Sequence, residues 1–150
     1  MSKEKESRLK EKITEYLKKN DAISFVILFG SFANGSPGPM SDIDIGIYFI
    51  EIPDLIKIGT ITNKLEKITG IKIDITILNN LYQKNPEFSY NIVKEGNPLF
   101  FKNRQAYVAF KRDSILAYLD ISPMRAKVKD TLSKRIKNGK IGERNFAGKI

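Results

Sequence analysis

Two aspartates, Asp42 and Asp44, stand two apart in the run Asp42-Ile43-Asp44-Ile45-Gly46-Ile47-Tyr48-Phe49. Strict alternation of this kind reads as a β-strand. Asp42, Asp44, Gly46 and Tyr48 then share one face, and Ile43, Ile45, Ile47 and Phe49 share the other. A third aspartate, Asp74, alternates against isoleucines in Ile71-Lys72-Ile73-Asp74-Ile75-Thr76-Ile77-Leu78. If the two strands are neighbours with their isoleucine faces together, the three carboxylates converge. Such a group repels itself, and each member is costly to desolvate. A hard divalent cation relieves both costs. Magnesium takes oxygen ligands and keeps coordination positions for water and substrate phosphates.

A second element precedes the first aspartate. The apolar, partly β-branched run Ser24-Phe25-Val26-Ile27-Leu28-Phe29 reads as a buried strand, and it stops at Gly30-Ser31. Phe32-Ala33-Asn34 can form one helical turn after it. A glycine at the corner lets a bulky ligand approach the backbone. Backbone N–H groups at the start of the turn, with the Ser31 hydroxyl, can hold an anionic phosphate. One strand end thus offers an anion cradle and the next strand offers metal-binding carboxylates, which together describe a metal–nucleoside-triphosphate site. Taken singly, an Asp-x-Asp is more often a solvated edge and a Gly-Ser is more often a plain turn. The joint order, with ten residues between Ser31 and Asp42 and a third aspartate on a later strand, favours the site over coincidence.

Composition removes the rival chemistries. The chain has no cysteine and no histidine. Disulfides, thiolate zinc sites, cysteine nucleophiles, histidine metal sites and the Ser-His-Asp triad are therefore excluded. With no histidine to activate it, Ser31 is not read as a covalent nucleophile. What remains is carboxylate, hydroxyl, backbone, Lys, Arg and Tyr chemistry.

The elements that must position these groups follow from periodicity. Leu9, Ile13, Tyr16 and Leu17 recur at helical spacing and predict an amphipathic helix over 3–19. Residues 34–41 are dense in turn formers and read as a loop. Pro53-Asp54 opens a helix with Leu55, Ile58, Ile61, Leu65 and Ile68 as its inner stripe and Gly70 as its stop. A polar stretch follows the Asp74 strand, then a helix at 86–95 ending at Gly96. Leu99-Phe100-Phe101 is expected to be a short edge strand. Residues 104–120 read as a helix with Ala106, Phe110, Ile115 and Leu119 inward, broken by Pro123. A basic helix at 124–137 and a frayed end at 138–150 complete the pattern. The fold class is α/β (α+β), a mixed sheet flanked by helices, in a domain over 1–121 with a basic appendage over 122–150. A domain built from most of the 150 residues can bury roughly two thirds of its unfolded surface and needs no staples.

The formal net charge is +9, and it is unevenly placed. Residues 21–121 carry ten basic and eleven acidic groups, whereas residues 122–150 carry nine basic and two acidic. A near-neutral body with a basic tail suits docking on an acidic partner, and contact with nucleic acid is expected only through that tail. The N-terminus alternates Lys and Glu with no apolar core, so no signal peptide is read there. No apolar run is long enough to span a membrane, and the cytoplasm is the expected compartment.

Gly30-Ser31, ten residues, then Asp42-Ile43-Asp44 resembles the signature of the nucleotidyltransferase superfamily that includes DNA polymerase β. The short form is most similar to the minimal nucleotidyltransferases. The resemblance covers 24–78 and includes Asp74 as third carboxylate. It extends less specifically through Ala117-Tyr118-Leu119-Asp120-Ile121-Ser122-Pro123 and the basic segment after it. There is one departure. Many relatives carry basic residues in the turn after Gly-Ser, where this chain has Phe32 and Asn34. Lys72 is a candidate to supply the missing charge, although a solvated edge lysine is the plainer reading.

The resemblance implies a polymerase β-like fold and a two-magnesium mechanism with ATP as substrate. Asp42 and Asp44 would bind the ion that chelates the triphosphate, and with Asp74 they would hold a second ion at the acceptor hydroxyl. Gly30 and Ser31 would bind the β- and γ-phosphates, and Asp74 would receive the acceptor proton. Minimal nucleotidyltransferases are typically paired with a HEPN ribonuclease toxin, which implies an antitoxin that transfers AMP to a toxin tyrosine. The aromatic residues of 99–121 offer a docking surface for such a partner, with core packing the simpler role for most of them. Two alternatives stand beside this. One is a small-molecule nucleotidyltransferase acting on an antibiotic, which would need a further domain or a dimer to build its cleft. The other is an inactive nucleotidyltransferase-fold module that neutralises its partner by binding, which the residues at 32 and 34 favour.

Overall fold

The computed structural model describes residues 3–33 and 41–120. Its elements in chain order are α1 (Lys3–Lys18), β1 (Ile23–Phe29), a 3-10 turn (Gly30–Phe32), β2 (Ile43–Phe49), α2 (Leu55–Thr69), β3 (Ile73–Ile77), α3 (Leu81–Lys84), α4 (Pro86–Glu95), β4 (Asn97–Phe101) and α5 (104–120). Residues 34–40 of the loop read at 34–41, the basic helix read at 124–137 and the tail read at 138–150 lie outside the described residues.

The sheet is mixed, in the order β3-β2-β1-β4. β1 pairs antiparallel with both β2 and β4. β2 and β3 are parallel, with α2 as the crossover between them. β1 is central and buried along almost its whole length, which is why its sequence shows an unbroken apolar run. β4 lies at the edge, where its Pro98 is tolerated.

Each face of the sheet has its own core. Val26 and Leu28 of β1 join Ile43, Ile45, Ile47 and Phe49 of β2 beneath α1 and α2. Phe25 and Ile27 point the other way and pack with Leu78, Ile92 of α4 and Phe110 of α5. The Phe25 ring stacks on Tyr48 at 4.9 Å between centroids. Ser89 of α4 and Ser114 of α5 are fully buried and bond to each other at 2.6 Å, a polar rivet between the two helices.

Local chemistry sets the helix ends. The Asp54 carboxylate accepts the Lys57 N–H at 2.9 Å and caps α2, which stops at Gly70. The Asn85 side chain accepts the Phe88 N–H at 3.1 Å, and Pro86 opens α4 with its preset φ.

The structure corrects three expectations. Leu55 is 84% exposed instead of inward, because it is the first residue of α2 and the packed stripe begins a turn later. Leu119 is half-exposed, and the inward row of α5 runs through Phe110 and the buried Ser114. The polar stretch after β3 contains the single helical turn α3, which starts from the left-handed Asn80.

Candidate active site

The site lies at one end of the sheet, where β1 finishes and β2 and β3 begin. Phe29, the last residue of β1, is the register partner of Asp44, and Asp44 is in turn the register partner of Asp74. Partners across a ladder share a face, so Phe29, Asp44 and Asp74 stand in a row. That face is the one covered by α4, whose Phe88 meets the Phe29 ring edge-on at 5.7 Å. Further along the same face Gly46 is overlain by Leu78. A Cβ at Gly46 would come within 2.8 Å of the Leu78 Cδ2 atom, so the missing side chain lets the core close directly behind the aspartates.

The Gly30 corner answers to two constraints. Its φ is +76°, in the left-handed region that glycine adopts without cost. A Cβ there would also collide with Asp44 Oδ2 and lie 3.2 Å from the Asp44 carboxyl carbon. The Gly30 backbone and the Asp44 carboxylate therefore lie in contact, which sets the corner expected to bind an anion directly against one of the expected metal-binding carboxylates. The turn is closed by the Ala33 N–H donating to the Gly30 carbonyl at 3.1 Å. Phe32 drops into the core at 5% exposure and pins the turn from below. Ser31 is left half-buried at the surface of the corner.

Asp44 feels its surroundings as an anion should in such a place. Burial raises its carboxyl above the ordinary 3.8, and the charges of Asp74 and then Asp42 push it the same way. Asp42, half-buried just before β2, is thus within electrostatic reach, and Asp74 is exposed on β3. Among the described residues no three acidic side chains are gathered tightly enough to form a ready-made metal cage. The expected convergence is therefore direct for Asp44 and Asp74 and looser for Asp42. All three offer hard oxygen donors, and burial first, then the charges of Asp74 and Asp42, disfavours the bare Asp44 anion, so the donor set fits a divalent cation. Lys72 is exposed just before β3, two residues ahead of Asp74.

Sequence reasoning missed one residue. Glu66, on α2, accepts the Ile73 N–H through Oε2 at 3.0 Å. Ile73 immediately precedes Asp74 on an edge strand, so this bond fixes the strand start that carries the third carboxylate. No spacing rule shows it, because it depends on how α2 packs against β3.

Residues 11–105 match the family described as polymerase beta, nucleotidyltransferase. The chain belongs to that family. A protein from Methanocaldococcus jannaschii named as a protein adenylyltransferase is 37% identical over 78 residues, covering 50% of this chain and 91% of that one. The protein adenylyltransferase MntA of Thermococcus cleftensis is 35% identical over 54 residues, covering 36% of this chain and 54% of its own length. Among solved structures, a toxin–antitoxin complex with AMP-PNP superposes with a TM-score of 0.68 at 23% identity, over 83% of this chain and 98% of that one. A chain of the complex of tri-AMPylated Shewanella oneidensis HEPN toxin with MNT antitoxin superposes with a TM-score of 0.65 at 20% identity, over 85% of this chain and 98% of that one. These superpositions establish the shared nucleotidyltransferase fold, as the family match and the mixed sheet require. Among the described residues no helix is long and apolar enough to cross a membrane.

Proposed function

We propose that this nucleotidyltransferase transfers AMP from ATP to a tyrosine hydroxyl of a HEPN ribonuclease toxin, and so serves in the cytoplasm as the antitoxin of a toxin–antitoxin pair. The observation that carries the reading is the Asp44–Asp74 register beside the Gly30 corner, where acidic groups meet a backbone cradle with no side chain between them. The relatives named protein adenylyltransferase and the superposed toxin–antitoxin complexes support the choice of nucleotide and partner.

Asp42, Asp44 and Asp74 are the residues that would hold magnesium, as two ions. When bound, magnesium neutralises charge on the triphosphate and on the attacking oxygen. The Gly30 N–H and the Ser31 hydroxyl hold the β- and γ-phosphates and leave the α-phosphorus over the aspartates. The acceptor oxygen forms a bond to that phosphorus, the bond to the bridging oxygen breaks, and pyrophosphate leaves. The acceptor proton passes to Asp74, which is the most exposed of the three and lies open to an incoming protein surface. The fixed corner and the row of carboxylates supply positioning and electrostatics, which is most of what phosphoryl chemistry asks of a protein.

One observation favours a second reading. Phe32 stands where many relatives carry a basic residue, and its side chain is committed to the core. A chain lacking that charge can still neutralise a partner by binding alone. Incubation with ATP labelled at the α-phosphate, magnesium and the HEPN partner separates the two. Label on the toxin that disappears with Asp44→Asn supports transfer. Toxin neutralised with no label, equally well by wild type and Asp44→Asn, replaces transfer with the binding reading.

A further inference from the structure

β3 is an outer strand of the sheet, and among the described residues only one of its edges is paired. Against β2 the ladder uses every second residue. The Ile43 N–H donates to the Lys72 carbonyl at one end, and the Leu78 N–H donates to the Ile47 carbonyl at the other, both at 2.9 Å. Bonding residues alternate along a parallel strand, so Lys72, Asp74, Thr76 and Leu78 turn their backbone groups towards β2. Ile73, Ile75 and Ile77 turn theirs outward. The Ile73 N–H shows this parity directly, because its acceptor is the Glu66 carboxylate outside the sheet.

Beyond Ile73 the outer edge is open among the described residues, and the N–H groups of Ile75 and Ile77 meet no backbone partner there. Their side chains are incompletely covered too. Ile75 and Ile77 pack on the core beneath α1 and α2 yet stay half-buried, whereas their β2 partners Ile45 and Ile47 are fully buried. The opposite edge of the sheet is blunted, since β4 carries Pro98, which has no N–H to offer. On the β3 edge the Glu66 carboxylate closes only the first position.

Asp74 lies between the outward-bonding Ile73 and Ile75. A strand added antiparallel would exchange hydrogen bonds with Ile75. The residue opposite Asp74 would then take a non-hydrogen-bonded position, where paired side chains come closest. Its side chain would stand on the Asp74 face, with its Cβ about 4.5–5.5 Å from that of Asp74. Lys72, exposed on the same face, suits an acidic side chain two places further along the added strand.

We propose that the outer edge of β3 is the acceptor-docking site. It takes an extended segment of the toxin as an added antiparallel strand, with the acceptor tyrosine opposite Asp74 and an acidic residue opposite Lys72. Backbone bonds hold the segment, and the register selects the hydroxyl that reaches the site. A helix laid against this edge would leave the Ile75 and Ile77 N–H groups unpaired, and a second copy of the chain would shut the acceptor position. The occupant's identity rests on the AMP-transfer reading above.

Amide hydrogen exchange, read residue by residue on the full chain alone and with the HEPN toxin, tests the proposal. The toxin carries phenylalanine in place of its acceptor tyrosine so that the complex does not turn over. The Ile75 and Ile77 amides should exchange fast in the free protein and about tenfold slower or more in the complex, the scale of one hydrogen bond. Thr76, bonded to β2, should be slow in both. Fast exchange at 75 and 77 in the complex would overturn the proposal. So would slow exchange before toxin is added, because the edge would then already be covered. A second measurement removes the donor itself. Ile77→Pro lacks an outward N–H that Ile77→Ala keeps, and both shorten the side chain. In AMP transfer to the unaltered toxin, the KM for toxin should be about tenfold higher with Ile77→Pro than with Ile77→Ala, at equal KM for ATP. Equal KM for toxin in the two variants would overturn the proposal. Label transferred without slowing at 75 and 77 removes strand addition and leaves AMP transfer standing. Slowing at both positions with no label transferred upholds the docked strand and removes the transfer reading alone.

Discussion

At position 30 a single methyl group is enough to test how the corner works. Gly30→Ala must adopt a left-handed φ, which costs about 1–2 kcal/mol for a residue with a Cβ. It must also displace the Asp44 carboxylate. We expect a stability loss of that size in urea unfolding together with a fall in AMP transfer of about tenfold or more, since displaced groups lose their alignment with the reacting centre. Retained transfer in the folded variant would mean that the contact between Gly30 and Asp44 is incidental. Asp44→Asn should behave in the opposite way towards stability. Burial, Asp74 and Asp42 raise the Asp44 carboxyl above its unfolded value, so the folded state binds that proton more tightly than the unfolded chain does. The stabilisation this gives is present in full below the unfolded value and is lost as pH rises through the folded one. At neutral pH the ionised Asp44 therefore opposes folding of the metal-free protein. Asp44→Asn should raise the metal-free melting temperature at neutral pH, with the gain fading towards about pH 3. It should also lower AMP transfer by about a hundredfold or more, the scale of losing one preorganised electrostatic group. A variant that melts lower and still turns over would contradict the placement of Asp44 in an acidic cluster.

Among the elements, those read most directly from sequence are the ones whose periodicity is uninterrupted. β2 and β3 alternate strictly because one face meets the core and the other leads to the site, and α4 runs up to the Gly96 stop read for it. The Gly30–Ser31 corner and the alignment of Asp44 with Asp74 follow from those strands once they are neighbours. Elements whose limits depend on tertiary contact were less legible. Leu55 fits the helical stripe, yet no neighbour extends far enough to cover it. Ser114 looks like an outward residue and is buried because Ser89 supplies its hydrogen bond. Glu66 is the same kind of residue, polar on a helix and silent in any pattern. Its bond to the Ile73 N–H predicts a measurable split. Glu66→Ala should cost about 1 kcal/mol, the net value of one hydrogen bond. It should also lower kcat for transfer while leaving the KM for ATP nearly unchanged, because the strand start carrying Asp74 loosens and the Gly30 corner does not. Glu66→Gln keeps an acceptor and should restore most of the loss. An equal effect of both substitutions would remove Glu66 from any positioning role.

Over the whole molecule the two ends of the sheet are differently equipped. Asp44 is the second residue of β2, and Ile50 follows its close, so the strand separates them by about 20 Å. At the far end Ile50, Ile52, Leu55 and Ile56 are all exposed around the start of α2, four large aliphatic side chains facing solvent within seven residues. None of them contributes to either core, so replacing Leu55 and Ile56 with lysine removes no buried contact. The double variant should unfold within about 0.5 kcal/mol of wild type, as surface substitutions away from packed features do. The active end makes a further demand. If the acceptor tyrosine approaches Asp74 from the open side of β3, the toxin has no need to reach the opposite end, and the rate of AMP transfer should be unchanged by the two lysines. Transfer lost at normal stability, with ATP binding intact, would place part of the toxin contact on this apolar end and would require the partner to span the length of β2.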